Sequence, residues 1–114
     1  MARIDASIAE TIRKFLECLD SEGIRVEAAY LFGTFAEGTP NRWSDIDIAV
    51  VSPDVSEDRF EERVRLTSLS SSIDSRIEPV PFRPETFVDE DPLAWEIKRK
   101  GIRVDLEVNE LASK

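Results

Sequence analysis

Two apolar runs joined through a glycine constrain this chain more than any other feature. Ala28 to Phe32 is apolar and ends on Gly33, and Ser44 to Val51 is a second such run that carries Asp45 and Asp47 at its start. Short apolar runs bounded by turn formers read as strands, so the order is strand, glycine turn, connector, strand. Side chains alternate along a strand, which puts Asp45 and Asp47 on one face, about 6.5 to 7 Å apart at their Cα atoms, and Ile46, Ile48 and Val50 on the other.

That placement has chemical consequences. Gly33 tolerates a positive φ and has no side chain, so a ligand's phosphates can approach the backbone, while the Thr34 hydroxyl and nearby N–H groups donate hydrogen bonds. Two carboxylates so close on an otherwise apolar strand repel each other, and a raised pKa or a bound cation relieves the repulsion. Oxygen ligands at this spacing suit Mg²⁺, which takes one or two carboxylates together with substrate phosphates and keeps several waters.

The pattern Gly33-Thr34, ten residues, then Asp45-Ile46-Asp47 resembles the Gly-Ser, ten residues, Asp-x-Asp signature of the polymerase β-like nucleotidyltransferase superfamily, and in particular its minimal nucleotidyltransferases. The resemblance runs from about Ala28 through Gly101. It implies that Gly33 and Thr34 hold the phosphates of a nucleotide, that Asp45 and Asp47 bind Mg²⁺, and that a third carboxylate on a later strand completes the site. Thr34 stands where the pattern has serine; it keeps the hydroxyl and adds a methyl group that stiffens χ1. Arg42 and Trp43 immediately precede the aspartates, where they reach phosphate and base, although a solvent-facing arginine and a tryptophan at the core edge are the plainer roles. Arg42 is taken as a nucleotide-binding candidate.

For the third carboxylate the sequence offers Glu78, in Arg76-Ile77-Glu78-Pro79, and Asp74, four residues earlier at the same parity. Glu78 is favoured, because an acid inside the apolar part of a strand needs a reason, whereas Asp74 beside serines is easily solvated. The activity implied is transfer of a nucleoside monophosphate, AMP from ATP, to an acceptor hydroxyl with release of pyrophosphate. Asp45, Asp47 and Glu78 would share two Mg²⁺ ions in the active complex. Minimal nucleotidyltransferases are often paired with HEPN-domain proteins, so the resemblance also implies an antitoxin-type subunit that acts through complex formation. A HEPN-like protein or a second copy is the expected partner.

Length and charge bound these expectations. A chain of 114 residues reads as a single domain, 1–114, with one modest core and no room for separate substrate domains. The net charge of −9 opposes a nucleic-acid-binding role, which needs clustered Lys and Arg. There is one cysteine, hence no disulfide framework within the chain, and no histidine, the commonest general base. No apolar stretch is long enough for a signal peptide or membrane span, so a cytoplasmic protein is expected.

The remaining elements follow from periodicity. A helix is expected from about Ser7 to Glu22, with a capping box at Ser7 and Glu10, an apolar stripe of Ile8, Ile12, Phe15, Leu16 and Leu19, and Gly23 at C′. Cys18, at the edge of that stripe, packs as a small hydrophobe. Phe35 to Trp43 reads as a loop. Ser56 to Ser70 reads as a helix with Phe60, Val64 and Thr67 or Leu69 inward, Glu57, Asp58, Glu61, Glu62, Arg63 and Arg65 outward, and a Glu61–Arg65 pair. Ile73 to Phe82 reads as a strand stopped by Pro79, Pro81 and Pro84, which suit a sheet edge or a strand end. A last helix is capped by Asp91, starts on Pro92, buries Trp95 and stops at Gly101; a strand from Ile102 to Val108 follows. The fold expected is an α/β (α+β) two-layer domain, with a mixed sheet of about four strands, helices mainly on one face, and the acidic face of the central strands open.

Overall fold

The structure is a computed structural model that describes residues 4–37 and 44–105. Helix α1 spans Ala6–Ser21, strand β1 Ala28–Phe32, a short helix α2 Thr34–Glu37, β2 Ile46–Val51, α3 Arg59–Ser71, β3 Ile77–Phe82, α4 Pro92–Lys100 and β4 Ile102–Arg103. The sheet has the order β3-β2-β1-β4. The β1–β2 and β1–β4 pairs are antiparallel and the β2–β3 pair is parallel, so the sheet is mixed, as expected.

The edge position of β3 follows from its prolines. The carbonyls of Arg76 and Phe82 accept hydrogen bonds from Ile46 and Ser52 at 2.8 and 2.9 Å. Backbone groups alternate along a strand, so the even-numbered residues of β3 turn theirs toward β2. Pro79 and Pro81 have odd numbers, and their missing N–H groups fall on the outer edge, where no ladder bond is lost.

Both faces of the sheet are packed. On one, α1 and α3 cover Ala29, Leu31, Ile46, Ile48, Val50 and Ile77 with Ile8, Ile12, Phe15, Leu19 and Leu66. On the other, Ala94 and Ile97 of α4 meet Ala49, Val51 and Phe82, with Tyr30, Phe32 and Phe87 around them. The second face is therefore partly covered, and the acidic start of β2 is left at the uncovered end. Of the six residues in β2, only Asp47 is not buried.

Helix ends carry their own signals. Asp5, rather than Ser7, is the N-cap of α1: its carboxylate accepts from the Ser7 N–H at 2.8 Å, while Glu10 pairs with Arg13 and so forms no reciprocal box. At the other end Gly23 has φ +81°, and the Ile24 N–H donates to the Leu19 carbonyl at 2.9 Å, the long bond of a Schellman stop. Asp91 caps α4 as expected, accepting from the N–H groups of Leu93 and Ala94. Gly101 is required by close packing: a Cβ there would lie 2.5 Å from the Ile97 carbonyl oxygen and 3.2 Å from that of Leu31.

Further expectations are corrected. Helix α3 is rotated about its axis, with Glu62, Leu66 and Ser70 buried and Phe60 and Val64 80% and 55% exposed. Leu66, Leu69 and Ile73 make a longer apolar row than Phe60 and Val64, and both Glu62 carboxylate oxygens lie 3.1 Å from Arg65, which answers the cost of burying it. The expected Glu61–Arg65 pair is thereby replaced. Trp95 is 45% exposed and stacks under Arg99 at 4.7 Å, because α4 approaches the sheet through the small Ala94 and Ile97. The connector after Gly33 begins as α2 instead of loop. The expected last strand is only Ile102–Arg103, with Val104 and Asp105 outside it, and Leu106 to Val108 lie outside the described residues.

Among the described residues no helix is long and apolar enough to cross a membrane.

Candidate active site

The end of β1, the start of β2 and the start of β3 meet at one place. In the ladder Phe32 is opposite Asp47, and Asp47 is opposite Glu78. Residue parity puts Asp47 and Glu78 on the same face of neighbouring strands, and Asp45, exposed just before β2, continues that row. Phe32 leads directly into Gly33, whose φ of +73° turns the chain sharply. A Cβ added to Gly33 would overlap the Asp47 carboxylate, so the glycine is what lets this side chain stand against the turn.

Thr34 opens α2 and is exposed. The first N–H groups of a helix have no partner within it, so the residues after Gly33 present donors next to the carboxylates. Beside the turn, a cavity of about 210 Å³ is lined by Phe32, Gly33, Ala36, Glu96, Ile97 and Lys100. Lys100 lies 3.7 Å from Glu96 across its rim.

Electrostatics mark Asp47 as the strained member of the row. Burial pushes its carboxyl above the ordinary aspartate range; the negative charges of Asp45 and Glu78 push the same way, and Arg63 pulls back. Glu78 is turned toward α3, with its Oε2 3.4 Å from Arg63 Nη2. Among the described residues no three acidic side chains form a ready-made metal cage. The donor set nevertheless fits a hard divalent cation: carboxylate oxygens alone, mutually repelling, in a niche that a Cβ would fill, with a guanidinium drawn to one of them.

Of the candidates from sequence, Gly33, Thr34, Asp45, Asp47 and Glu78 are brought to one end of the sheet, and Arg42 and Trp43 lie outside the described residues. Asp74 is not among them. It precedes β3 and binds Arg76 through the backbone N–H at 2.9 Å and the guanidinium at 2.8 Å, which lowers its pKa. Two residues near the site have no sequence signal for that position. Arg63 was hidden by the assignment of α3's outer face, and Lys100 by the run of basic residues that complements a helix C-terminus.

Comparison with known proteins gives the family of the chain. The nucleotidyltransferase domain family matches residues 12–111. The protein adenylyltransferase MntA of Shewanella oneidensis is 33% identical over 75 residues, which are 66% of this chain and 53% of that protein, so the chain spans about half the length of this curated relative. A crystal structure of a toxin–antitoxin with AMP-PNP is 28% identical, with a TM-score of 0.58, covering 84% of this chain and 71% of the other. A mutant of the toxin–antitoxin MntA–HpeT is 26% identical, with a TM-score of 0.56 and coverages of 81% and 70%. The chain belongs to the nucleotidyltransferase domain family, as a minimal nucleotidyltransferase of the polymerase β-like superfamily.

Proposed function

We propose that residues 1–114 act as one nucleotidyltransferase domain that moves AMP from ATP to a hydroxyl of a protein partner and releases pyrophosphate. The observation that carries this reading is the register of Asp47 opposite Glu78, with Asp45 in the same row and Gly33 against the Asp47 carboxylate. Asp45, Asp47 and Glu78 are the residues that would hold Mg²⁺. When bound there, Mg²⁺ neutralises triphosphate charge and lowers the pKa of the attacking hydroxyl. The chain's own parts bind and orient. Gly33 and the N–H groups after it, with the Thr34 hydroxyl, take phosphate oxygens. The 210 Å³ cavity beside the turn is smaller than the usual ligand pocket of about 300 Å³ or more, so it receives a portion of the nucleotide, with Lys100 at its rim. In the transfer, the acceptor oxygen bonds to the α-phosphorus, the bond to the bridging oxygen breaks, pyrophosphate leaves with that electron pair, and the hydroxyl proton passes to solvent.

A protein acceptor is supported by the open site and by α3. Phe60 and Val64, one helical turn apart, stand out at 80% and 55% exposure on the outer side of the helix that carries Arg63. The same stripe favours a second reading, an antitoxin-type subunit that neutralises a HEPN-like toxin through complex formation. The MntA relative is named as a protein adenylyltransferase, and the two structural neighbours described above are named as toxin–antitoxin. The setting proposed is the cytoplasm, where ATP and Mg²⁺ are supplied together.

The test combines ATP, Mg²⁺ and a HEPN-domain protein as acceptor, with mass spectrometry for AMP on Tyr, Ser or Thr. Wild type is expected to label the partner, and Asp47→Asn to fold with an unchanged or raised melting temperature and to label nothing. Stable complex formation without labelling would select the antitoxin reading.

A further inference from the structure

Arg63 stands on α3 with Nη2 3.4 Å from Glu78 Oε2. Glu78 is the register partner of Asp47, and the positive charge of Arg63 reaches Asp47 as well, opposing the push from Asp45 and Glu78. The neighbouring arginines of α3 are committed elsewhere, Arg59 to Asp91 and Arg65 to the buried Glu62. One guanidinium therefore faces the acidic row from the helix side.

We infer that Arg63 is the site's own counter-cation. It holds Glu78 toward α3, and Glu78 joins Asp45 and Asp47 around a divalent cation by leaving Arg63. The inference rests on the metal-binding reading proposed above. It makes Arg63 a positioning residue that acts through Glu78 and sets how much metal is needed to assemble the site.

The physical basis is competition for one carboxylate. A guanidinium stays charged at any pH where the protein is folded, so it cannot withdraw by losing its proton. The two side chains are 52% and 41% exposed. Pairs this open to solvent shift an equilibrium by about two- to fivefold. That is enough to bias the rotamer of Glu78 and small enough for a divalent ion to reverse. Both residues are held in the ladder, but the Asp47 carboxylate stands against Gly33 whereas Glu78 has a longer side chain and a choice of partners, so the bias acts on Glu78.

The experiment is a Mn²⁺ titration of the whole chain without nucleotide, followed by the paramagnetic resonance of free Mn²⁺. Arg63→Gln is expected to bind Mn²⁺ about two- to fivefold more tightly than wild type, and Arg63→Lys, which keeps a charge, to return toward wild type. In a Glu78→Gln background the Arg63→Gln gain should vanish. Unchanged or weaker Mn²⁺ binding by Arg63→Gln overturns the inference; a merely structural role would weaken binding and lower the melting temperature together. An Asp45→Asn, Asp47→Asn double variant that binds Mn²⁺ like wild type would instead overturn the metal-binding reading itself.

Discussion

Gly33 and Asp47 are fitted to each other across β1 and β2: the glycine follows the residue opposite Asp47, and the aspartate carboxylate fills the space that a Cβ at position 33 would occupy. The φ of +73° at Gly33 and the position of the Asp47 carboxylate are thus one structural condition, met by the absence of one side chain. Turn geometry and acid placement cannot be varied separately.

Gly33→Ala is therefore expected to fail twice. A left-handed φ costs a non-glycine residue about 1–2 kcal/mol, and the new methyl group must also displace the Asp47 carboxylate. The variant should melt below wild type and lack the Mg²⁺-dependent thermal shift that ATP is expected to produce in wild type. By contrast, Gly23→Ala shares the positive φ but has open space at its Cβ, so it should lose stability and keep the shift. A Gly33→Ala protein that responds normally to ATP and Mg²⁺ would separate the turn from the site.

The rotation of α3 predicts an uneven pattern of substitutions. Leu66→Ala removes a side chain with no exposed surface and should cost about 2–5 kcal/mol in denaturant unfolding. Phe60→Ser and Val64→Ser change exposed positions and should stay within about 0.5 kcal/mol of wild type. Equal losses at Phe60 and Leu66 would restore the helix phase expected from periodicity.

Asp54 gives a pH dependence with a definite sign. Its carboxylate accepts from the Arg25 guanidinium at 3.0 and 3.2 Å and from the Arg25 backbone N–H at 2.8 Å, joining the turn after β2 to the chain leading into β1. Those bonds, the side-chain ones first, lower its pKa to about 2. The folded value lies below the unfolded one, so the contribution to stability is present above about pH 4 and is lost as pH falls toward 2. Melting temperatures of wild type and Asp54→Asn should differ at neutral pH and converge in that window. A difference that persists below pH 2 would assign the effect to packing.

Much of the site was legible because its elements are local. Spacing along one strand places Asp45 and Asp47 together, and the glycine that ends the preceding strand is adjacent in sequence to the turn it makes. Pro79 and Pro81 limited β3 to a sheet edge or a strand end, since a missing N–H excludes a central ladder, and the structure takes the edge. Capping at Asp91 and the stop at Gly23 were readable for the same reason: each is decided within one turn of chain.

What the sequence by itself determined, then, is the longer helices and strands β1 to β3, the acids at the start of β2 and the glycine beside them, because periodicity, backbone sterics and capping act over a few residues. Only the tertiary structure decided which strand edge faces which. It placed Glu78 opposite Asp47 through the parallel β2–β3 register and left Asp74 to Arg76. It also chose the buried face of α3, where two apolar rows compete and the sheet accepts the one through Leu66, exposing Phe60 and sending Arg63 to Glu78. The rotation of a helix about its axis is set by what it packs against, and a helix with apolar residues on two sides carries no local signal strong enough to fix it.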